Sequence, residues 1–119
     1  MNRYAFQQVA LLPADQDNVA IAIQIIEAGS IIQYQETSLR ISHTVLEGHR
    51  FAVGAISAGD HLLSWGLPFG TATVDISVGD YVCNPKMLAA LQWRNLDFEL
   101  PTGPNFNDDI PSFDRIDFE

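Results

Sequence analysis

Apolar and polar positions alternate along this chain in short runs, each closed by a turn-forming residue. Tyr4 to Leu12 is mostly apolar and ends at Pro13, which predicts a first strand. The polar cluster Ala14-Asp15-Gln16-Asp17-Asn18 precedes the apolar run Val19 to Ile26, where two signals compete. Asp17 or Asn18 can cap a helix and Gly29 can stop one. Against that, Val19, Ile21, Ile23 and Ile25 alternate and are β-branched, which favours a strand. The capping signals tip the reading to a short helix from about Asn18. Ser30 to Tyr34 and Ser38 to Val45 read as two strands of a hairpin or irregular pair. Glu47-Gly48-His49-Arg50 reads as a turn and Phe51 to Ile56 as a strand. His61 to Trp65, Thr71 to Ile76 and Asp80 to Cys83 complete the set.

Within this set one phrase occurs twice. Ile56-Ser57-Ala58-Gly59-Asp60-His61-Leu62 is echoed by Ile76-Ser77-Val78-Gly79-Asp80-Tyr81-Val82. Each copy is a tight Gly-Asp turn feeding a strand, since glycine accepts positive φ and aspartate bonds its own backbone. Between the copies, Ser64-Trp65-Gly66-Leu67-Pro68-Phe69-Gly70 reads as a rigid apolar loop. Short strands at this spacing predict a mainly β fold, a sandwich or barrel-like unit. One helix stands out. Asn84 is a favoured N-cap, Pro85 suits the first helical position, and Asn95 can end the helix. Met87, Leu88, Leu91 and Trp93 would give it an apolar face. After Leu96 the chain becomes extended, with Pro101, Pro104 and Pro111. Phe98, Leu100, Phe106, Ile110, Phe113, Ile116 and Phe118 make this segment too apolar for a purely disordered tail. It is expected to pack along a surface, its own domain's or a partner's. The chain therefore divides into a β domain, 1–96, and an extended acidic segment, 97–119.

With 119 residues, 47% of them hydrophobic, a single globular domain is expected. Its formal charge of −9 argues against nucleic acid, which needs Lys and Arg to displace counterions. From Asp97 onward seven acids face Arg115 alone, so six of the nine net negative charges lie in the final segment. No apolar run approaches the roughly 18 residues of a membrane span, and no charged start with an apolar core suggests secretion. A lone Cys83 fits a reducing compartment, so a cytoplasmic address is expected.

The polar cluster Gly48-His49-Arg50 can bring backbone and two cationic-capable side chains to an anion such as a carboxylate. Its plainer role is a turn whose side chains satisfy nearby carbonyls. Asn84 and Lys86, at the start of the helix, form a second anion candidate, because free N–H groups and the positive dipole end gather there. Cys83 beside it reads as a small buried apolar residue rather than a nucleophile. Trp65 and Phe69 can stack on a sugar, or fill a core or interface. His43, His49 and His61 are not at zinc-motif spacing, and one cysteine cannot complete a structural cage.

Taken in order, Asp17-Asn18-Val19-Ala20, Gly48-His49-Arg50-Phe51-Ala52-Val53, Ile56-Ser57-Ala58-Gly59-Asp60, Trp65-Gly66-Leu67-Pro68-Phe69-Gly70-Thr71-Ala72 and Ile76 with Gly79-Asp80-Tyr81-Val82 resemble a known family. It is the SAF-type, or β-clip, domain at the N-terminus of the altronate and galactarate dehydratases, which also forms the small subunit of sulfolactate sulfo-lyase. The resemblance runs from about Leu12 to Val82. It implies a small β-clip domain that helps bind an acidic sugar. A larger catalytic chain would carry most of the lyase machinery with a divalent metal, iron or manganese. Three departures matter. The family's lysine after Gly-His is Arg50, which keeps the charge and changes the geometry. A family cation is replaced at Ser64-Trp65-Gly66. The family's closing histidine pair is absent at Val82-Cys83-Asn84-Pro85.

The resulting expectation is a substrate-binding subunit or domain of a sugar-acid dehydratase, with His49, Arg50, Ser64, Trp65, Asn84 and Lys86 at the substrate. No catalytic residue is assigned, and this chain alone is expected to hold no cofactor. Expected partners are a larger dehydratase subunit, an anionic sugar acid and further copies of the chain, with neither nucleic acid nor membrane. The alternatives are a stand-alone module for a carbohydrate or small acid, and an interaction domain working through Phe98 to Phe118.

Overall fold

A computed structural model describes residues 2–108; Ile110, Phe113, Ile116 and Phe118 of the acidic segment lie outside the described residues. The elements are β1 (Arg3–Ala5), α1 (Phe6–Val9), β2 (Ala10–Leu11), β3 (Val19–Ala22), β4 (Ile31–Tyr34), β5 (Thr37–Arg40), β6 (Arg50–Ala52), β7 (His61–Ser64), β8 (Leu67–Ala72), β9 (Tyr81–Val82), α2 (Pro85–Trp93) and β10 (Phe106–Asp108). They form three small sheets, ordered β1-β4-β5, β2-β3-β6-β9 and β10-β8-β7. The fold is mainly β with two short helices, as the turn spacing implies.

The turn phrase occurs four times. Ile26-Glu27-Ala28-Gly29 and Val45-Leu46-Glu47-Gly48 share the backbone of the two copies at Ile56 and Ile76. In each, the residue after glycine donates to the carbonyl three residues back: Ser30 to Glu27, His49 to Leu46, Asp60 to Ser57 and Asp80 to Ser77, at 2.9–3.1 Å. Each glycine has φ between +85° and +93° at the third turn position, the geometry of a type II turn. Paired bridges join Ile26 to Val45 and Ile56 to Ile76. The chain from Ala22 to Ala52 is thus one folded-over unit, and the chain from Ala52 to Val82 is the same unit again.

Several expectations change. Val19–Ala22 is a strand, not the start of a helix. Asp17 and Asn18 direct their side chains to the β7–β8 hairpin instead of a helix turn, so the β-branched alternation prevails. The first strand is broken by the single turn of α1. The supposed loop between the repeated phrases shrinks to Trp65-Gly66, both at positive φ, because Leu67–Ala72 is strand β8. In α2, Asn84 caps the helix by accepting from Met87 N at 2.7 Å. Leu88 and Leu91 are buried, but Trp93 is 88% exposed and not part of the apolar face; it lies two positions past Leu91, off that stripe.

Strand periodicity decides which face each side chain takes. Ala20, Ala22, Phe51 and Tyr81 turn to one side of the β2-β3-β6-β9 sheet and join Ile26, Ile32, Ile41 and Val45 in the larger core. Val19, Ala52 and Val82 turn to the other side and meet Ile56, Leu62, Ala72, Ile76 and Phe106 in a second core. Arg50 shares this second face, paired across the sheet with Ile21 and Val82. The segment after Leu96 lies against its own domain as far as it is described. Phe98 and Leu100 pack on the larger core and Phe106 is buried in the second.

Two asparagines finish strand edges. Asn18 Nδ2 donates to His61 O at 3.0 Å and its Oδ1 accepts from Leu63 N at 2.8 Å. Asn105 does the same for β9, donating to Tyr81 O at 2.8 Å and accepting from Cys83 N at 2.9 Å. Each side-chain amide stands in for a neighbouring strand, so these edge groups are not left unpaired.

Candidate functional site

Arg50 opens β6 directly after the Gly48 turn, and strand alternation sends its side chain to the second face. There its Nε donates to Ser64 Oγ at 3.3 Å, and its guanidinium carbon lies 5.2 Å from the centre of the Phe69 ring. Phe69 is held in turn by an edge-to-face contact with Phe106, centroids 5.4 Å apart. Among the described residues no acceptor meets its terminal N–H groups, which form a fork that matches a carboxylate. Burial lowers the Arg50 pKa and the nearby Asp17 charge opposes that shift.

His49 is the last residue of the same turn. Its Nδ1 is hydrogen-bonded to the Tyr81 hydroxyl, the two rings lying 5.9 Å apart. Burial lowers the His49 pKa, and the Arg94 and Arg50 charges lower it further. Burial raises the Tyr81 pKa, so the phenol stays protonated. The assignment consistent with both is that Tyr81 O–H donates to Nδ1 of a neutral imidazole, which leaves the proton on Nε2. His49 therefore works as a neutral donor, and the positive charge of this corner comes from Arg50 and Arg94.

This assignment carries a pH signature. A histidine whose folded pKa lies below its unfolded value binds more protons when unfolded, so its contribution to stability rises with pH across that interval. Stability in wild type should therefore fall on acidification below about pH 6.5, more steeply than in His49→Gln. Urea midpoints from pH 5 to 8 check this; parallel slopes for the two proteins would contradict a neutral, buried imidazole.

The sequence-predicted residues fall in three places. Ser64 reaches Arg50 on the second face, whereas His49, its neighbour in sequence, turns to Tyr81 on the side of the larger core. Trp65 follows Ser64 at the hairpin tip, 61% exposed with φ +59°. Asn84 and Lys86 instead line a separate cavity of about 490 Å³ with Pro85, Asn107 and Asp108. There Asn84 Nδ2 donates to the Asp108 carboxylate at 2.9 Å, so the helix start faces an acid of its own chain. Cys83 is fully buried, and burial raises its thiol pKa. Sequence reasoning missed Tyr81 and Arg94, treated Asp17 as a local cap, and left Phe69 between sugar stacking, core and interface. The only written signal was that Tyr81 takes, in the last copy of the turn phrase, the place that His61 holds in the third.

The two folded-over units, closed around a shared central strand, define a small β-clip domain. A family model for the altronate/galactarate dehydratase SAF domain matches residues 8–88, and the chain belongs to that family. It is similar to the altronate dehydratase of Bacillus subtilis (strain 168), 31% identical over 67 residues, which is 56% of this chain and 14% of the relative. It is likewise similar to the altronate dehydratase of Escherichia coli (strain K12), 33% identical over 66 residues, 56% of this chain and 13% of that one. The match thus spans about one-seventh of the length of these relatives. Arg94 and the segment that follows lie beyond the matched residues. Among the described residues no helix is long and apolar enough to cross a membrane.

Proposed function

We propose that this chain is the substrate-binding component of a sugar-acid dehydratase, a lyase that removes water from an aldonate or aldarate, and that it acts with a larger catalytic chain in the cytoplasm. The observation that supports this most directly is the Arg50 fork, held by Ser64 and Phe69 inside the family-matched segment. A substrate carboxylate takes the free guanidinium N–H groups.

Dehydration also needs a base for the proton beside the carboxylate and help for the departing hydroxide. His49 is not placed as that base, since Tyr81 occupies Nδ1 and Nε2 carries its proton. Among the described residues no three His, Cys, Asp or Glu side chains gather as a metal-ligand set. The described residues do not fit a divalent ion, so proton abstraction and any iron or manganese are assigned to the larger chain. The names of the similar proteins, altronate dehydratases, suggest the substrate class.

Gentle affinity purification of the tagged chain from its native cells, followed by mass spectrometry, tests the partnership. A larger chain recovered in stoichiometric amount is the expected result. Recovery of the small chain alone, with calorimetric binding of galactarate or altronate, would replace this reading with a stand-alone acid-binding module.

A further inference from the structure

Asp17 is a buried carboxylate, 5% exposed, that neither Arg50 nor the backbone of its own turn fully accounts for. Its Oδ2 accepts from Ala14 N at 3.0 Å, which is the local turn. The same oxygen also accepts from Trp65 N at 2.9 Å, and Oδ1 accepts from Gly66 N at 2.8 Å. Those two amides form the tip of the β7–β8 hairpin, both at positive φ. Contact across the clamp is close: a Cβ added at Gly66 would meet Gln16 Nε2 at 2.9 Å. Immediately before the tip stands Ser64, 6% exposed, whose hydroxyl receives Arg50 Nε at 3.3 Å.

We propose that Asp17 is a positioning residue for Arg50: its carboxylate clamps the Trp65-Gly66 tip, the clamp fixes Ser64, and Ser64 aims the guanidinium. The functional weight of this chain of contacts rests on the reading of Arg50 as the carboxylate-binding group. A local cap needs only one acceptor oxygen. A carboxylate that accepts three N–H bonds, two of them from a distant hairpin, ties that hairpin to the segment before β3. The Asp17 charge also opposes the effect of burial on Arg50. Asparagine at this position has a single acceptor oxygen, and its NH₂ faces an amide donor, so at least one tip contact is lost.

The test reads Arg50 directly in the full chain, without ligand. Solvent exchange of the Arg50 Nε–H, followed by ¹⁵N NMR, should be slow in wild type. In Asp17→Asn it should accelerate about tenfold, the loss of one hydrogen bond's worth of protection, with amide protection at Phe51 and Tyr81 kept. Unchanged Arg50 exchange in folded Asp17→Asn overturns the proposal. If Asp17→Asn does not fold, Ser64→Ala, which leaves the clamp whole, takes its place. The same acceleration is expected there, with recovery in Ser64→Thr, and unchanged exchange overturns the proposal equally. Calorimetry of Arg50→Ala with galactarate is read separately. If Arg50→Ala and wild type bind alike, the anion-site reading fails while the positioning result stands.

Discussion

Gly79→Ala is expected to remove a large share of the protein's folding stability. Gly79 has φ +91°, and a Cβ built there would lie 2.0 Å from the Arg40 carbonyl oxygen and 2.9 Å from its carbon. The clash is with backbone, so no side chain can swing aside. The surroundings are also tied down: Ser42 N donates to Gly79 O at 3.0 Å, Gly79 N to Ala52 O at 2.8 Å, and Tyr81 N to Ser42 Oγ at 3.0 Å. This is where the chain leaving β5 lies against the last turn of the second unit. Backbone displacement here should cost about 4 kcal/mol or more, against a total stability of about 5–15 kcal/mol. Gly59→Ala is the control. It has the same phrase and a φ of +93°, but nothing lies within 4 Å of its added Cβ. Only the left-handed backbone penalty applies, about 1–2 kcal/mol. Thermal melts of the two variants should therefore separate widely, and equal melting points would refute the close approach at Gly79.

That contrast shows where the sequence stops informing. The repeated Gly-Asp phrase at Ile56 and Ile76 is legible because turn chemistry is local: positive φ needs glycine, and the following aspartate closes the turn. The first two copies escape notice because Ser30 and His49 stand where Asp60 and Asp80 stand, although the backbone is the same. Whether a glycine is also crowded depends on a chain segment some 40 residues away, which no local pattern records. The misreading of Val19–Ala22 has a similar cause. Asp17 and Asn18 are good cap residues in isolation, yet their acceptors serve amides at Leu63, Trp65 and Gly66. Tertiary hydrogen bonds outweigh the capping preference.

The site is half legible for the same reason. His49 and Arg50 attract attention as neighbours after a glycine in a loop. Alternation in β6 then settles that Arg50 and Phe51 face opposite sides, the aromatic into the larger core and the cation to the second face. What the two do chemically is decided by Tyr81, Ser64 and Phe69, each on a different strand. Tyr81 changes His49 from a candidate cation into a neutral donor. Asn84 and Lys86 stood as a second anion candidate, because a helix start is a generic feature. Asp108, which faces Asn84, comes from β10, a strand in the segment taken as tail.

Arg50→Ala should weaken sugar-acid recognition about 10- to 150-fold, seen as a higher KM in the reconstituted complex. The range follows from removing one charged hydrogen-bonding partner of a carboxylate, about 1.5–3 kcal/mol. Arg50→Lys separates charge from geometry. Lysine keeps the positive charge, but it lacks a donor at the Nε position for Ser64 and the planar group that lies over Phe69. It should therefore fall between wild type and alanine. Arg3→Ala, on β1, lies in a different sheet from Arg50 and tests whether overall charge alone matters; it should bind as wild type. On the proposed function Arg50 meets a carboxylate present in both ground and transition states, so its loss should appear in KM with kcat little changed. A fall in kcat at constant KM would move Arg50 from anchoring the substrate to stabilising charge that develops as water leaves. Kinetics unchanged in both Arg50 variants would remove this corner from the substrate altogether.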